Sequence, residues 1–486
     1  LKTPIGQNEE ARHNSGKGKK TYDNFRLHVS AEEDVFMHNK INKLTLAVTL
    51  ASAVMATGQA AASGFQVREQ SAKALGNAMA GAAAGAEDVS YMTFNPAAIG
   101  NVEGTQVSGG ISYIDAGFEL TDASASSVSG AGYMGSGDNE GGEEAWVPSF
   151  AFKTRLNERF DLGLAISAPY GLSTKYDKEW IGRYHAVETE LETIDIQPTL
   201  NYRATDRLNL AVGLRAQYAD ATLSNAIDLG AVGAGAGQLP PSAIGNADGM
   251  AEVTGDDWGY GYTLGALFQA TERTRLGISY RSEVELTLDG DVDYSADGPA
   301  AQAVLAGAQA TGQLQDGGGK ADITTPANLN LGIYHQLTDR LALMANAEWT
   351  EWSSFKELTV EFDNGGQSTT TENWDDTWAF SVGANYQLNR QWLLRAGLGV
   401  DESPVPDSEH RTPRVPDADR RWATLGATWM PTSSLGVTAG YMHVFGDDGD
   451  IEQNATPTNE NASRGNLSGT YEVEADVFAL SMDYRF

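Results

Sequence analysis

The chain has 486 residues, 41% of them hydrophobic, with 54 glycines, no cysteine and a formal net charge of −32. Such a charge is repelled by nucleic-acid phosphates and argues against a nucleic-acid partner, while the lack of cysteine excludes disulfides, thiol chemistry and cysteine metal sites. A soluble protein of this length would divide into two or three domains, and a single large barrel is the exception to that expectation.

Residues 1–36 are polar, without pattern, and stand upstream of a start at Met37, so they read as a non-native or removed extension. Residues 37–62 carry an address. His38, Lys40 and Lys43 follow Met37 as a basic region, Leu44 to Met55 form an apolar run, and Ala60-Ala61-Ala62 supplies an A-x-A pattern. That is the layout of a secretory signal peptide, with cleavage after Ala62. The apolar run is shorter than the roughly 20 residues a helical span needs, which disfavours a membrane anchor. Residues 63–104 are rich in Gly and Ala and do not alternate; Ala72 to Met79 suits a short helix, limited by its glycines. A segment placed ahead of a first strand either trails as a tail or folds back into a lumen.

From 105 to 486 the chain alternates with period two. Ile194, Ile196, Pro198, Leu200 and Tyr202 are interleaved with polar residues, a short turn follows at 204–207, and Leu208, Leu210, Val212, Leu214, Ala216 and Tyr218 resume the pattern. A soluble sandwich alternates too. Here the runs last about 10 to 14 residues, longer than an ordinary globular strand, and the apolar stripe ends in Tyr or Trp, as at a membrane interface. Tight turns alternate with long polar segments near 117–144, 173–190, 222–256, 290–325, 353–375, 402–419 and 446–470. Short turns on one side and long loops on the other mark a bacterial outer-membrane barrel. The strands number about fourteen, an even count. In the last one Phe478, Leu480, Met482, Tyr484 and Phe486 share the apolar face, and the chain ends on that aromatic. The expected fold class is an all-β, transmembrane antiparallel barrel.

Two further features bear on function. Ala168-Pro169-Tyr170-Gly171 interrupts the third strand, because Pro lacks the N–H a ladder needs and Gly weakens a strand. In the third and fourth long segments, Ala226, Ile227, Leu229 and Val232, then Ala300, Ala301, Val304, Leu305 and Ala308, form short apolar stripes at near-helical spacing. Exposed apolar helices at an outer rim suit a first contact with a greasy ligand; equally, they suit a lid whose helices pack on each other. His185, His335, His410 and His443 are scattered without metal-ligand spacing, Asp447-Asp448-Gly449-Asp450 reads as a solvated loop, and no metal or cofactor is expected.

Ser63-Gly64-Phe65-Gln66, Leu75-Gly76-Asn77-Ala78, Gly81 and Asn95-Pro96-Ala97 resemble the N-terminal hatch of FadL-type long-chain fatty acid transporters. In order behind them come Trp146-Val147-Pro148, Tyr170-Gly171-Leu172, Tyr280-Arg281-Ser282-Glu283, Asp401-Glu402-Ser403-Pro404-Val405-Pro406 and Pro416-Asp417-Ala418-Asp419-Arg420, so the resemblance runs from Gly64 to Phe486. It implies a monomeric, fourteen-stranded barrel in the bacterial outer membrane, among its lipid and lipopolysaccharide, with residues 63–104 as a hatch plugging the lumen and 105–486 as the wall. It implies capture of a long-chain fatty acid or hydrocarbon between the third and fourth outer loops, at Ala226, Ile227, Leu229, Val304 and Leu305. It implies a tighter inner site, release by movement of a hatch that includes Gly64, Phe65, Asn95, Pro96 and Ala97, and lateral exit at Pro169, Tyr170 and Gly171.

One departure stands out. The resemblance implies that basic residues from the third loop and from the segment before the tenth strand meet the fatty acid carboxylate. Those places fall near Ser224 or Asn225 and near Thr370, none of them charged. Arg215, Arg281 and Arg183, with His185, are then the candidate carboxylate partners. The departure weakens a fatty acid relative to a hydrocarbon, which the related TodX-type transporters handle. A barrel enzyme such as a phospholipase needs a Ser–His pair near one rim, and no motif for one is present; a water-filled porin would not need a hatch. The expected activity is passive transport, not catalysis.

Overall fold

The computed structural model describes residues 64–486; the extension and signal peptide expected over 1–62 lie outside them. The described residues form one closed antiparallel barrel of fourteen strands, each paired with its sequence neighbour. They are β1 (Gln106–Ser126), β2 (Glu144–Arg155), β3 (Phe160–Ser167, resuming as Gly171–Lys175), β4 (Glu188–Thr205), β5 (Leu208–Asp228), β6 (Asp248–Thr271) and β7 (Thr274–Arg281, resuming as Val284–Ala296). The wall continues through β8 (Gly317–Thr325, resuming as Asn328–Gln336), β9 (Leu341–Thr350, then Glu357–Phe362), β10 (Gln367–Thr371, then Thr377–Gln387), β11 (Trp392–Asp401), β12 (Arg420–Trp429), β13 (Leu435–Gly446) and β14 (Asn466–Arg485). Closure runs along β1 and β14, from Gln106 opposite Arg485 to Ser126 opposite Asn466, so no sheet edge is left over.

The alternation read from the sequence sets the two faces. Leu214, Leu398 and Leu425 are 65%, 60% and 64% exposed, values that only a lipid surround makes tolerable across a whole belt. Paired rings flank the belt on both sides: Tyr113 with Trp146, Tyr218 with Trp258 and Tyr441 with Phe478 above, Phe160 with Tyr202 and Trp392 with Trp429 below. Among the described residues no helix is long and apolar enough to cross a membrane; the strands do that. The lower turns share one device. Asn157, Thr205, Thr271, Thr338, Asn389 and Thr432 each accept, through the side-chain oxygen, from a backbone N–H two residues on.

The long polar segments differ from expectation. Much of what reads as loop is strand standing clear of the belt: β5 and β6 stay paired as far as Asp228 opposite Asp248, and β1 reaches Ser126. Small polar residues on both faces hide the period there. The loop proper between β5 and β6 holds a helix, Leu229–Gly235, and that between β7 and β8 holds another, Pro299–Ala310.

Candidate functional site

Residues 64–100 are almost wholly buried within the barrel, and their short turns pack on the wall strands and on one another. The helix expected over Ala72 to Met79 is a single turn, Ala72–Leu75, capped by Ser71; Gly76 ends it and Ala78 and Met79 take positive φ. Asn95 accepts from the Ala97 N–H at 2.9 Å and donates to the Ala83 and Ala266 carbonyls, so Asn95-Pro96-Ala97 starts a short 3-10 turn tied to β6. Ion pairs fasten the segment elsewhere: Arg68 to Glu348 and Asp401 (3.3 and 2.6 Å), Lys73 to Asp483 (2.7 Å) and Glu87 to Arg395 (2.6 Å). The wall makes room with glycine: a side chain at Gly277 would run into the Ala83 carbonyl. A polar cavity of about 40 Å³, lined by Gln66, Arg68, Arg281 and Glu348, remains between segment and wall, room for a few waters.

The third strand is broken where the sequence places the break. Its ladder with β2 stops at Phe150 opposite Ile166, and residues 168–170 leave the wall before pairing with β4 resumes at Gly171 opposite Glu192. The backbone that leaves is taken up by the inner segment: Val67 N–H donates to the Pro169 carbonyl and Gly171 N–H to the Phe65 carbonyl. Phe65 itself sits in a box of rings, with centroids of Trp352, Phe355, Trp374 and Tyr170 at 4.7, 5.4, 5.8 and 6.0 Å. Leu172, Leu191, Val284, Leu286, Leu288, Ile323, Val405 and Val415 extend the same buried cluster upward.

The three arginines expected to meet a carboxylate are already paired within the protein, sharing two carboxylates between them. Arg215 and Arg281 converge on Asp195, at 2.6 and 3.5 Å, and Arg183 binds Asp248 at 2.8 Å with its plane over Tyr184. Two arginines that sequence reading did not single out have no ion pair among the described residues. Arg414, buried, donates to Thr189 Oγ1 (3.1 Å) and Asn225 Oδ1 (3.3 Å). Arg464, half-buried, donates to Ser368 Oγ (3.2 Å) and the Thr369 carbonyl (2.8 Å). They therefore stand beside Asn225 and next to Thr370, the two places where the sequence lacks a cation, and reach them from other loops. Pro413 and Pro416 around Arg414 are the one local signal, a basic residue on a stiffened backbone.

Burial and the neighbouring Arg464 charge lower the Arg414 pKa to about 9, and burial lowers that of Arg464. His185, from the loop between β3 and β4, bonds the Gly465 carbonyl at 3.1 Å; burial, then Arg464, drive its pKa down to about 3, so it is neutral. A buried guanidinium that makes no direct ion pair costs several kcal/mol, which a bound anion would offset. The cluster joins the apolar box directly, because Val415 follows Arg414 in the chain and belongs to the box.

The apolar stripes of the outer loops pack on each other: Leu229, Ala301, Val304 and Leu305 are buried together, with Ile227 partly covered, and Val232 stays exposed. Ala226 and Ile227 lie on the end of β5 and not on the helix.

Residues 53–486 match the family described as outer membrane protein transport protein (OMPP1/FadL/TodX). The chain belongs to that family. Among its relatives are the 47 kDa outer membrane protein of Pasteurella multocida, 30% identical with 92% of this chain and 100% of that one covered. The long-chain fatty acid transport protein of Salmonella typhi is 31% identical, with 90% and 98% covered. A solved Pseudomonas aeruginosa FadL homologue superposes with a TM-score of 0.79 at 28% identity, covering 87% of this chain and 100% of its own. The Pseudomonas putida toluene transporter TodX superposes at 0.64 with 17% identity over 87% and 100%, a likeness of fold alone. The protein is thus an outer-membrane β-barrel of a transport family.

Proposed function

We propose that the chain is a passive transporter of long-chain carboxylates, fatty acids in the first instance, working without catalysis or cofactor as a monomer among outer-membrane lipid and lipopolysaccharide. The ligand first meets the outer-loop helices, which part to expose the packed residues Ala226, Ile227, Leu229, Val304 and Leu305. Its carboxylate then settles between Arg414 and Arg464 and its chain runs down toward the ring box at Phe65. Desolvating the tail supplies about 0.8 kcal/mol per buried CH₂, so no nucleotide is needed. Release follows movement of residues 63–104, with Gly64 and Phe65 leaving the box and Asn95, Pro96 and Ala97 as the lower anchor. The ligand then leaves sideways past Pro169, Tyr170 and Gly171.

The guanidinium pair, which makes no direct ion pair among the described residues, carries this reading. A hydrocarbon channel is the rival: the box would accept an alkane or an aromatic, but two charges beside it would be desolvated for nothing. The fatty acid transport proteins among the relatives favour the first. Palmitate and hexadecanol binding should be compared in lipid nanodiscs, with the wild type and an Arg414→Gln, Arg464→Gln double variant. The wild type should prefer the acid by at least about tenfold, as expected of charge-assisted bonds, and the variant should lose that preference. Equal binding of acid and alcohol by the wild type would favour the hydrocarbon reading.

A further inference from the structure

Glu372 lies in the short connection inside β10, between Thr371 and Thr377, and is 1% exposed. Its oxygens accept from two neutral donors, Trp374 Nε1 at 3.1 Å and Thr412 Oγ1 at 3.4 Å. Thr412 stands two residues before Arg414, and Trp374 is a wall of the box around Phe65. The carboxyl is therefore held where the basic pair meets the apolar box, the place an alkyl carboxylate would bring its own head group.

We propose that Glu372 is a specificity-determining residue of this site: its carboxyl competes with the ligand carboxylate for the field of Arg414 and Arg464, so the site accepts a long-chain anion while Glu372 keeps its proton and rejects it once that proton is gone. The inference rests on the reading that the two arginines hold the ligand carboxylate.

The charged groups that face Glu372 are few. Arg414 comes from the loop between β11 and β12, Arg464 and Glu460 from the loop before β14. Glu460 is committed to β10, accepting from Thr371 N (3.1 Å) and Thr371 Oγ1 (2.9 Å). The neighbouring Asn373 touches His410, and His185 adds no charge because it is neutral. With Glu372 protonated, two guanidiniums against the Glu460 carboxylate leave a net positive cluster; with Glu372 ionised the cluster is balanced and a third carboxylate has nothing to gain. Burial pushes the Glu372 carboxyl up to about 8, against the lowering effect of the Trp374 and Thr412 hydrogen bonds and of Arg414. It therefore keeps its proton at neutral pH and gives it to the buffer on mild alkalinisation. A dissolved fatty acid is already ionised across that range, so its own titration cannot make binding fall there.

The test is palmitate and hexadecanol binding to the intact barrel in nanodiscs between about pH 6.5 and about pH 8.5. For full competition, wild-type affinity for palmitate should drop about fourfold over this window. Glu372→Gln, whose amide oxygen can still accept from Trp374 Nε1 while its NH2 donates to Thr412 Oγ1, cannot ionise and should bind palmitate as tightly at either pH as the wild type does at the lower one. Hexadecanol binding should not change. A flat wild-type profile, or a drop that survives in Glu372→Gln, overturns the role of Glu372. If palmitate and hexadecanol bind the wild type equally at the lower pH, the arginine reading itself fails. Heat-modifiable gel mobility, checked for each variant, shows that the barrel has formed.

Discussion

Gln66 and Tyr170 face each other across an isolated antiparallel bridge, with the Val67 N–H on the Pro169 carbonyl at 2.8 Å and the Gly171 N–H on the Phe65 carbonyl at 2.9 Å. The inner segment thus takes over backbone groups that the broken third strand withdrew from its ladder with β2. Moving the segment away leaves those groups without partners, so the break and the segment are energetically one unit. The pair is of the non-hydrogen-bonded kind, whose side chains lie close enough for a disulfide. Because the chain has no cysteine of its own, Gln66→Cys with Tyr170→Cys gives a clean cross-link. Oxidised protein should insert normally and fail to take up labelled palmitate, and reductant should restore uptake. Transport by the oxidised form equal to the reduced would show that the two need not separate.

Gly64 has φ of +57°, and a Cβ there would lie 2.6 Å from the Trp374 ring and 2.8 Å from that of Trp352. Gly64→Ala should therefore strain the backbone by about 1 kcal/mol and push the ring box apart as well. The expected result is partial withdrawal of Phe65, read as a red shift in tryptophan emission and a higher conductance in planar bilayers. Wild-type values on both would mean that the box yields without releasing the segment.

The wall was legible because lipid imposes one rule on every strand: an apolar residue at each second position, as in Leu208 to Tyr218. The break at Pro169 was legible for the equally local reason that proline has no N–H to give. The upper ends of β5 and β6 were not, since residues such as Thr222 and Ser224 face no lipid and the period fades. The basic pair was not legible either. Arg414, Arg464 and His185 come from three separate loops and Glu372 from the connection inside β10, and only closure of the barrel brings them together. The sequence shows uncharged residues at Asn225 and Thr370 but cannot show that Arg414 and Thr369-bound Arg464 arrive there from elsewhere.

His185 sets a pH limit on the outer-loop cluster. Its pKa falls from the ordinary 6.5 to about 3 on folding, by burial and by the two arginines. Protons bind the unfolded loop first, so the contribution is complete above about pH 6.5 and is lost as pH falls toward about 3, several kcal/mol in all. Hydrogen exchange of residues 176–187 and 454–465, corrected for intrinsic rates, should accelerate below about pH 6. His185→Gln should abolish that pH dependence. Unchanged protection at low pH in the wild type would remove His185 from this role.

The third-strand break should matter more for transport than for folding. Pro169 withholds an N–H and Gly171 turns its own inward to Phe65, so above Phe150 opposite Ile166 the β2 edge at 144–149 bonds only β1. Pro169→Thr with Gly171→Val supplies the missing donor and two residues that favour extended, paired backbone. The repaired strand gains ladder bonds with β2 and gives up its hold on the inner segment. Closure between β1 and β14 and the aromatic girdles are untouched, so the variant should insert and stay heat-modifiable. Uptake of labelled palmitate into cells lacking their own transporter should fall sharply, because the sideways path narrows, while palmitate binding at Arg414 and Arg464 stays near wild type. Binding and uptake must be measured together: loss of both would point to a damaged site. Unchanged uptake with a strand shown to be straight would send the ligand out at the lower end instead, past Asn95-Pro96-Ala97.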